Sequence, residues 1–214
     1  GGPHYPGTYL AGGYNRLTSE VAGREIVNED LVNWPNWLPL TFRIDEGQWF
    51  DLDKVEIIDY HYELDMKRGI LCRFVQFKDD EGRETILKSR RIVHMKNHHL
   101  AAIEWTLTPD NWSGKIEVRS ALDGTVTNSG VARYRALDGK HLQPLETRQI
   151  SDDGILLVVQ TNQSKIRMAQ AARTRIFVDD RPRHPRRKLI RKEGYIGQLV
   201  TINCKKKKNV RIEK

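Results

Sequence analysis

The chain has 214 residues and a formal net charge of +8, with 38% hydrophobic and 30% charged residues. This composition excludes a disordered tail and suits one large all-β domain with a buried core. No apolar run approaches the ~20 residues that cross a bilayer, and no signal segment is recognisable. Cys72 and Cys204 lie too far apart in sequence to indicate a disulfide framework or a zinc site. We therefore expect a soluble cytoplasmic protein without a membrane partner.

The first segment, residues 1–37, combines glycines and prolines with several tyrosines and tryptophans. This mixture predicts an irregular aromatic loop with at most a short helix within residues 19–34. Loops rich in aromatic side chains usually pack on another surface. Trp34 and Trp37 flank Pro35, so they either line a pocket or an interdomain contact or attach the loop to the rest of the domain.

Residues 38–214 show short alternation of apolar and polar residues punctuated by turn signals, which is typical of antiparallel strands. Ile103, Trp105 and Leu107, for example, alternate with polar neighbours. Because no helices separate the strands, we predict one large two-sheet antiparallel β-sandwich, with short helices at most, as a single domain over 1–214. The other predicted strands are 55–64, 70–78, 85–95, 115–119, 155–161, 166–178 and 195–204; residues 131–146 are predicted to form a long connection with a brief helical pattern at 132–137.

Much of the positive charge is concentrated in two late segments, residues 181–192 and 205–208. Each falls where a loop between strands is expected, so we predict either a solvated hairpin or an interdomain face. Neither contains the interleaved aromatic residues that a base-stacking groove needs, so we expect no nucleic-acid partner.

The sequence contains no catalytic motif such as a nucleophile elbow or a phosphate-binding loop. His94, His98 and His99 are close in sequence, but adjacent residues of an extended chain face opposite ways, so no metal site is predicted. The carboxylates lie in turns or alternate with apolar residues, as a wet strand face does. Among the remaining tryptophans, Trp49 and Trp112 adjoin predicted strands and are expected in the core rather than as sugar platforms.

Ordered motifs lie at residues 5–15, 28–37, 50–53, 62–69, 107–114, 119–124 and 194–198. Together they resemble glycoside hydrolase family 65, the trehalose, kojibiose and maltose phosphorylases. The resemblance covers nearly the whole chain, and a set of ordered motifs is more specific than any one of them.

The resemblance implies an N-terminal β-sandwich that precedes a linker, an (α/α)6 barrel with the active site, and a small β domain. No residue here matches the barrel motif of the catalytic acid, so no catalytic residue is carried over and the isolated chain is expected to be inactive. The implied partners are its own barrel, a carbohydrate substrate and a second subunit in a homodimer. Inorganic phosphate is the implied co-substrate, without a cofactor. The predicted substrate-binding or interdomain residues are Tyr9, Asn15, Trp34, Asn36 and Trp37.

Two functions from different classes remain open for the isolated chain. One is a structural domain that shapes the pocket of an inverting α-glucoside phosphorylase or hydrolase and supports its dimer; the other is an autonomous carbohydrate-binding module. A module should bind free oligosaccharide, whereas a structural domain should expose an apolar docking face. The choice among trehalose, kojibiose, nigerose and maltose, and between phosphorolysis and hydrolysis, stays open.

Overall fold

The protein is described by a computed structural model over residues 13–128 and 137–214. Within these ranges the regular structure consists of strands and one short 3-10 helix at Leu52–Lys54. The strands are β1 (Tyr14–Val21), β2 (Arg24–Leu31), β3 (Leu40–Ile44), β4 (Glu56–Asp65), β5 (Ile70–Lys78), β6 (Glu84–Val93), β7 (Ala101–Pro109), β8 (Gly114–Asp123), β9 (Leu142–Ser151), β10 (Gly154–Thr161), β11 (Arg167–Arg173), β12 (Arg175–Val178), β13 (Arg181–Arg183), β14 (Arg187–Lys192), β15 (Tyr195–Cys204) and β16 (Val210–Glu213).

The strands form antiparallel sheets that pack as a sandwich, so the predicted all-β class is confirmed. The largest sheet has the order β13-β12-β16-β7-β6-β5-β4, and a four-stranded sheet has the order β14-β15-β8-β3. Two smaller sheets contain β11-β10-β9 and the β1-β2 hairpin. In the part of the chain that the structure describes, no helix is long and apolar enough to cross a membrane.

The chain divides into two compact units. Unit 1 contains the described residues of Gly1–Pro39, Ala121–Ala172 and Leu189–Gly197, and unit 2 contains Leu40–Ser120, Arg173–Lys188 and Gln198–Lys214.

Unit 2 has a sandwich core that follows from strand alternation. Phe42 of β3 lies with its ring 6.4 Å from that of Phe77 on β5 and 6.3 Å from that of Trp105 on β7. Val75, Leu87, Leu107 and Val210, which lie side by side in one row of the large sheet, are fully buried. As predicted, Ile103, Trp105 and Leu107 face inward while the intervening residues of β7 do not. Period-two patterns therefore placed this core correctly.

The prediction of an irregular segment with a short helix over residues 19–34 was wrong. Residues 14–31 form the β1-β2 hairpin instead, closed by a two-residue turn at Ala22 and Gly23. Both turn residues have positive φ, 51° and 75°, which is the twist that such hairpins favour. The strand pattern was hidden because two of the three buried positions of β1 are polar, Asn15 and Ser19.

Besides shifts of a few residues at other strand ends, three larger differences from the predictions occur. Strand β9 begins within the predicted long connection, and the helical pattern at 132–137 falls largely outside the described residues. The predicted strand over 166–178 is divided at the buried Thr174, and β11 and β12 belong to different sheets. The basic stretch 181–192 contains β13 and β14 rather than one loop, whereas 205–208 is a turn as predicted.

Candidate functional site

The predicted site residues that the structure describes all belong to unit 1. Tyr9 lies outside the described residues. Asn15 and Trp34 are interior side chains, while Asn36 and Trp37 are partly exposed. A role of these residues toward a substrate or another domain therefore stays a prediction, and for two of them the structure shows an internal packing role.

Asn15 is the centre of a buried polar network. Its Oδ1 accepts hydrogen bonds from the backbone N–H groups of Gln163, at 3.0 Å, and Ser164, at 2.9 Å. Because Oδ1 is the acceptor, Nδ2 is the donor, and it bonds Asn162 Oδ1 at 2.7 Å and His141 Nδ1 at 3.0 Å. Only 1% of Asn15 is exposed. The residue thus connects β1 to the turn after β10.

His141 is held in one tautomer by this network. Its Nδ1 accepts from Asn15, so the ring proton lies on Nε2, which faces Asp30 Oδ2 at 3.4 Å. Burial lowers the pKa of His141 from its ordinary value, because desolvation opposes the imidazolium more than the nearby carboxylates of Asp30 and Asp138 stabilise it. The buried imidazole is therefore neutral at neutral pH.

This lowered pKa predicts a stability loss in mild acid. Between the folded-state pKa of His141 and the unfolded value of about 6.5, the unfolded chain binds more protons. The free energy of unfolding should therefore fall as the pH decreases through this window. Urea unfolding at several pH values should show a smaller decrease for His141→Gln than for the wild type. Equal pH dependence of the two proteins would contradict the assignment.

Trp34 belongs to the hydrophobic core of unit 1. It is 2% exposed and lies in one cluster with Val32, Leu122 and Leu157 among others. A Cβ added at Gly13 would lie 2.2 Å from Trp34 Nε1, so only glycine permits this close approach of backbone to indole. The buried position of Trp34 fits attachment of the N-terminal segment to the domain better than it fits an exposed pocket or interdomain contact.

Trp37 and Asn36 occupy the rim of the same core. Trp37 is half-buried and packs against the cluster that contains Trp34. Asn36 exchanges backbone hydrogen bonds with Asp123, and its Oδ1 accepts from the N–H of Leu38 at 2.9 Å. Trp37 is therefore the predicted site residue that combines a fixed position with an accessible aromatic surface.

The other aromatic and histidine candidates have structural surroundings. Trp112 is buried and donates from Nε1 to Thr85 Oγ1 at 3.0 Å, as expected for a core residue. Trp49 is half-buried, with the guanidinium carbon of Arg43 5.0 Å and that of Arg119 4.3 Å from its ring centroid. Across the described ranges, no group of three His, Cys, Asp or Glu residues is placed to hold a metal ion.

Three carboxylates on or beside strands have local structural partners. Asp51 Oδ1 accepts from the N–H of Asp53 and caps the 3-10 helix. Asp65 accepts from the N–H of Arg68, and Glu104 forms two hydrogen bonds with Arg90. These bonds stabilise turns and pair neighbouring strands.

Sequence reasoning missed an exposed apolar surface on the edge strand β4. Tyr60, Tyr62 and Leu64, which we call the β4 strip, are 47%, 53% and 59% exposed. Tyr60 lies directly opposite Val75 and therefore shares its face of the sheet. Val75 is fully buried, so the strip continues the inner, core-forming face of the sheet out to its edge.

The β4 strip has the chemistry of a docking surface. The Tyr60 and Tyr62 rings lie 6.5 Å apart with an angle of 24° between their planes. Contiguous exposed apolar side chains in a soluble protein usually mark a contact with another protein surface. The sequence pattern does not predict this exposure, because Tyr60, Tyr62 and Leu64 alternate with polar residues, as the buried face of an ordinary strand does.

Comparison with known proteins adds an independent result. The model of a family described as "Glycosyl hydrolase family 65, N-terminal domain" matches residues 1–214. A glycosyl hydrolase of Mycobacterium tuberculosis is 40% identical over 99% of this chain and 16% of its own length. A kojibiose phosphorylase of Caldanaerobacter subterraneus subsp. tengcongensis is 36% identical over 80% of this chain and 21% of its own length.

A solved structure supports the fold. It is described as a candidate kojibiose phosphorylase from the human microbiome, and it matches with a TM-score of 0.78 at 16% identity over 97% of this chain and 26% of that chain. The chain thus spans about a fifth of the length of the curated relatives.

Proposed function

The chain belongs to the N-terminal domain family of glycosyl hydrolase family 65, and we propose that it is a non-catalytic β-sandwich domain of an α-glucoside phosphorylase. The relative named as a kojibiose phosphorylase supports this activity for the whole protein. Most of each curated relative lies outside the matched region, so there is ample chain for a separate catalytic domain.

The observation that carries the proposal is the β4 strip. In the whole protein it packs on the remainder of the chain, which the family resemblance implies is an (α/α)6 barrel. Burial of apolar surface contributes about 25 cal/mol per Å². Covering two tyrosines and a leucine that are each about half exposed therefore stabilises the contact between this domain and the rest of the protein. The domain then fixes the barrel and shapes the mouth of its pocket, where Trp37 is the predicted contact.

The proposed reaction needs no acid from this domain. In an inverting phosphorolysis, one carboxylic acid protonates the leaving oxygen while phosphate attacks the anomeric carbon from the opposite face. Phosphate is already an anion, so no general base is required. Asp51, Asp65 and Glu104 have structural partners in the present domain.

We also place the protein in the cytoplasm as a homodimer. Cys72 and Cys204 are both free thiols, as a reducing compartment favours. Burial raises the pKa of Cys204 to about 12, so this thiol is inert. Sedimentation of the whole protein tests the dimer.

An assay for phosphorolysis tests the proposal. The 214-residue chain should release no glucose or glucose 1-phosphate from kojibiose, trehalose or maltose in the presence of phosphate, whereas the full-length protein should release it from one of them. Release by the chain alone above a mock-purified control would overturn the non-catalytic role.

The same preparations distinguish the carbohydrate-binding module. Of the five tryptophans, Trp34, Trp105 and Trp112 are buried and Trp37 and Trp49 are half-buried, so no tryptophan is a fully open platform for sugar stacking. The exposed tyrosines Tyr60 and Tyr62 belong to the proposed docking surface. Calorimetry should therefore detect no saturable binding of these disaccharides to the chain. Saturable binding at millimolar affinity or better would favour the module instead.

A further inference from the structure

The two basic segments that stand out in the sequence meet at one cleft of unit 2. Its volume is about 560 Å³, within the range of small-molecule sites. Arg183 and His184 line it from the first segment, and Lys205 and Lys208 line it from the second. We call these four residues and their surroundings the basic cleft. Its apolar floor includes Ile202 and Val210, which are buried.

The position of Arg183 is set by strand pairing. Arg183 lies on β13, the edge strand of the large sheet, directly opposite Ile176 of β12. Directly opposed residues of an antiparallel pair share a face, and Ile176 is 1% exposed. The guanidinium is therefore carried on the core-facing side of the sheet at its open edge, where the cleft lies.

Most of the positive charge in the basic cleft is uncompensated. Asp179 is the carboxylate that lines the cleft, and it pairs with Lys208 at 3.1 Å. Over residues 13–128 and 137–214, no ion pair or side-chain hydrogen bond joins Arg183, His184 or Lys205 to another residue. Cations gathered in a concave site raise the local concentration of anions.

We propose that the basic cleft binds a phosphate group, either as inorganic phosphate or as a small phosphate monoester. A guanidinium pairs with phosphate through two parallel N–H···O bonds, and lysine adds a point charge. Thr201 and Asn203, both exposed at the cleft, offer a hydroxyl and an amide for further hydrogen bonds. No Phe, Tyr or Trp lines the cleft in the described structure, so stacked bases lack a large aromatic platform and nucleic acid is disfavoured. This inference is independent of the proposed catalytic partner.

A second explanation of Arg183 is protection of the sheet edge. Inward-pointing charges and proline on edge strands prevent pairing between molecules, and β13 carries both, as Arg183 and Pro182. This explanation predicts self-association when Arg183 loses its charge and predicts no affinity for phosphate.

The test is a titration of the 214-residue chain, followed by amide NMR at constant ionic strength, with inorganic phosphate in one arm and glucose 1-phosphate in the other. Both arms should give saturable shifts confined to amides around residues 181–185 and 201–208. If only the titration with inorganic phosphate saturates, the ligand is the free anion. If glucose 1-phosphate binds more tightly, the cleft also recognises the group attached to the phosphate. A lack of saturation in both arms overturns the proposal.

Matched variants decide whether the cleft is specific. Arg183→Gln combined with Lys205→Gln should weaken binding roughly tenfold or more, since hydrogen bonds to charged groups are lost. Lys67→Gln combined with Lys96→Gln removes the same charge from two exposed lysines elsewhere and should change affinity less than about twofold. Three outcomes overturn the proposal. Equal weakening by both pairs of substitutions would show nonspecific attraction. Self-association of the first variant, together with no phosphate affinity of the wild type, would favour edge protection. Duplex DNA binding that only the first variant loses would favour a nucleic-acid ligand.

Discussion

Replacing Asn15 with alanine should lower the free energy of unfolding by about 3 kcal/mol or more, because buried donors and acceptors lose their partner. Oδ1 serves the N–H groups of Gln163 and Ser164, and Nδ2 serves Asn162 and His141. Each buried group left unsatisfied costs about 1–3 kcal/mol. Urea unfolding of the 214-residue chain measures the change.

Asn36→Ala is the matched control for this experiment. Its side chain provides one acceptor, for the N–H of Leu38, at a partly exposed position. We expect a loss of about 1 kcal/mol. If Asn15→Ala were no more destabilising than Asn36→Ala, the buried network around Asn15 would not be a structural element.

Replacing Trp34 with alanine should cost about 3–5 kcal/mol, the range for loss of a buried aromatic side chain. Trp34 is enclosed by the core of unit 1, whereas Trp37, three residues later, is half-buried at its rim. Trp37→Ala should therefore destabilise the chain clearly less. Thermal and urea unfolding of both variants in the 214-residue chain give the comparison.

The same pair separates packing from function in the full-length protein. Trp37→Ala should reduce kcat/KM for the disaccharide while most of the stability is retained, because the substitution removes the contact that we propose near the pocket. If Trp37→Ala matched Trp34→Ala in destabilisation and left the kinetics of the folded protein unchanged, Trp37 would be a core residue alone.

The strands that the sequence predicted correctly have mainly apolar residues at their buried positions. Strands β5 and β15 match the predicted 70–78 and 195–204 end to end. Strand β1 was missed because Asn15 and Ser19 occupy buried positions, so its alternation did not register as hydrophobic. A polar residue can occupy such a position when a partner distant in sequence, here His141, satisfies it. That pairing is a tertiary contact, which local sequence patterns cannot predict.

The surfaces were less predictable than the strands. Alternation identifies the apolar side of β4 but does not say whether another layer covers it; that depends on its place at the edge of the large sheet. Likewise, Arg183 and Lys205 belong to separate basic runs, and only the fold brings them to one cleft. The motif of residues 28–37 contains both Trp34 and Trp37, but their burial differs because the core cluster encloses the first alone.

The most direct test of the docking role compares Tyr62→Ser with Tyr14→Ser. Both tyrosines lie on strands and are about half exposed, 53% and 50%, but only Tyr62 belongs to the β4 strip. In the 214-residue chain, each substitution should change the midpoint of thermal unfolding by less than about 2 °C, since exposed positions contribute within ±0.5 kcal/mol. In the full-length protein, Tyr62→Ser should lower both the unfolding midpoint and kcat/KM, whereas Tyr14→Ser should leave both near the wild-type values. Equal behaviour of the two full-length variants would contradict the account.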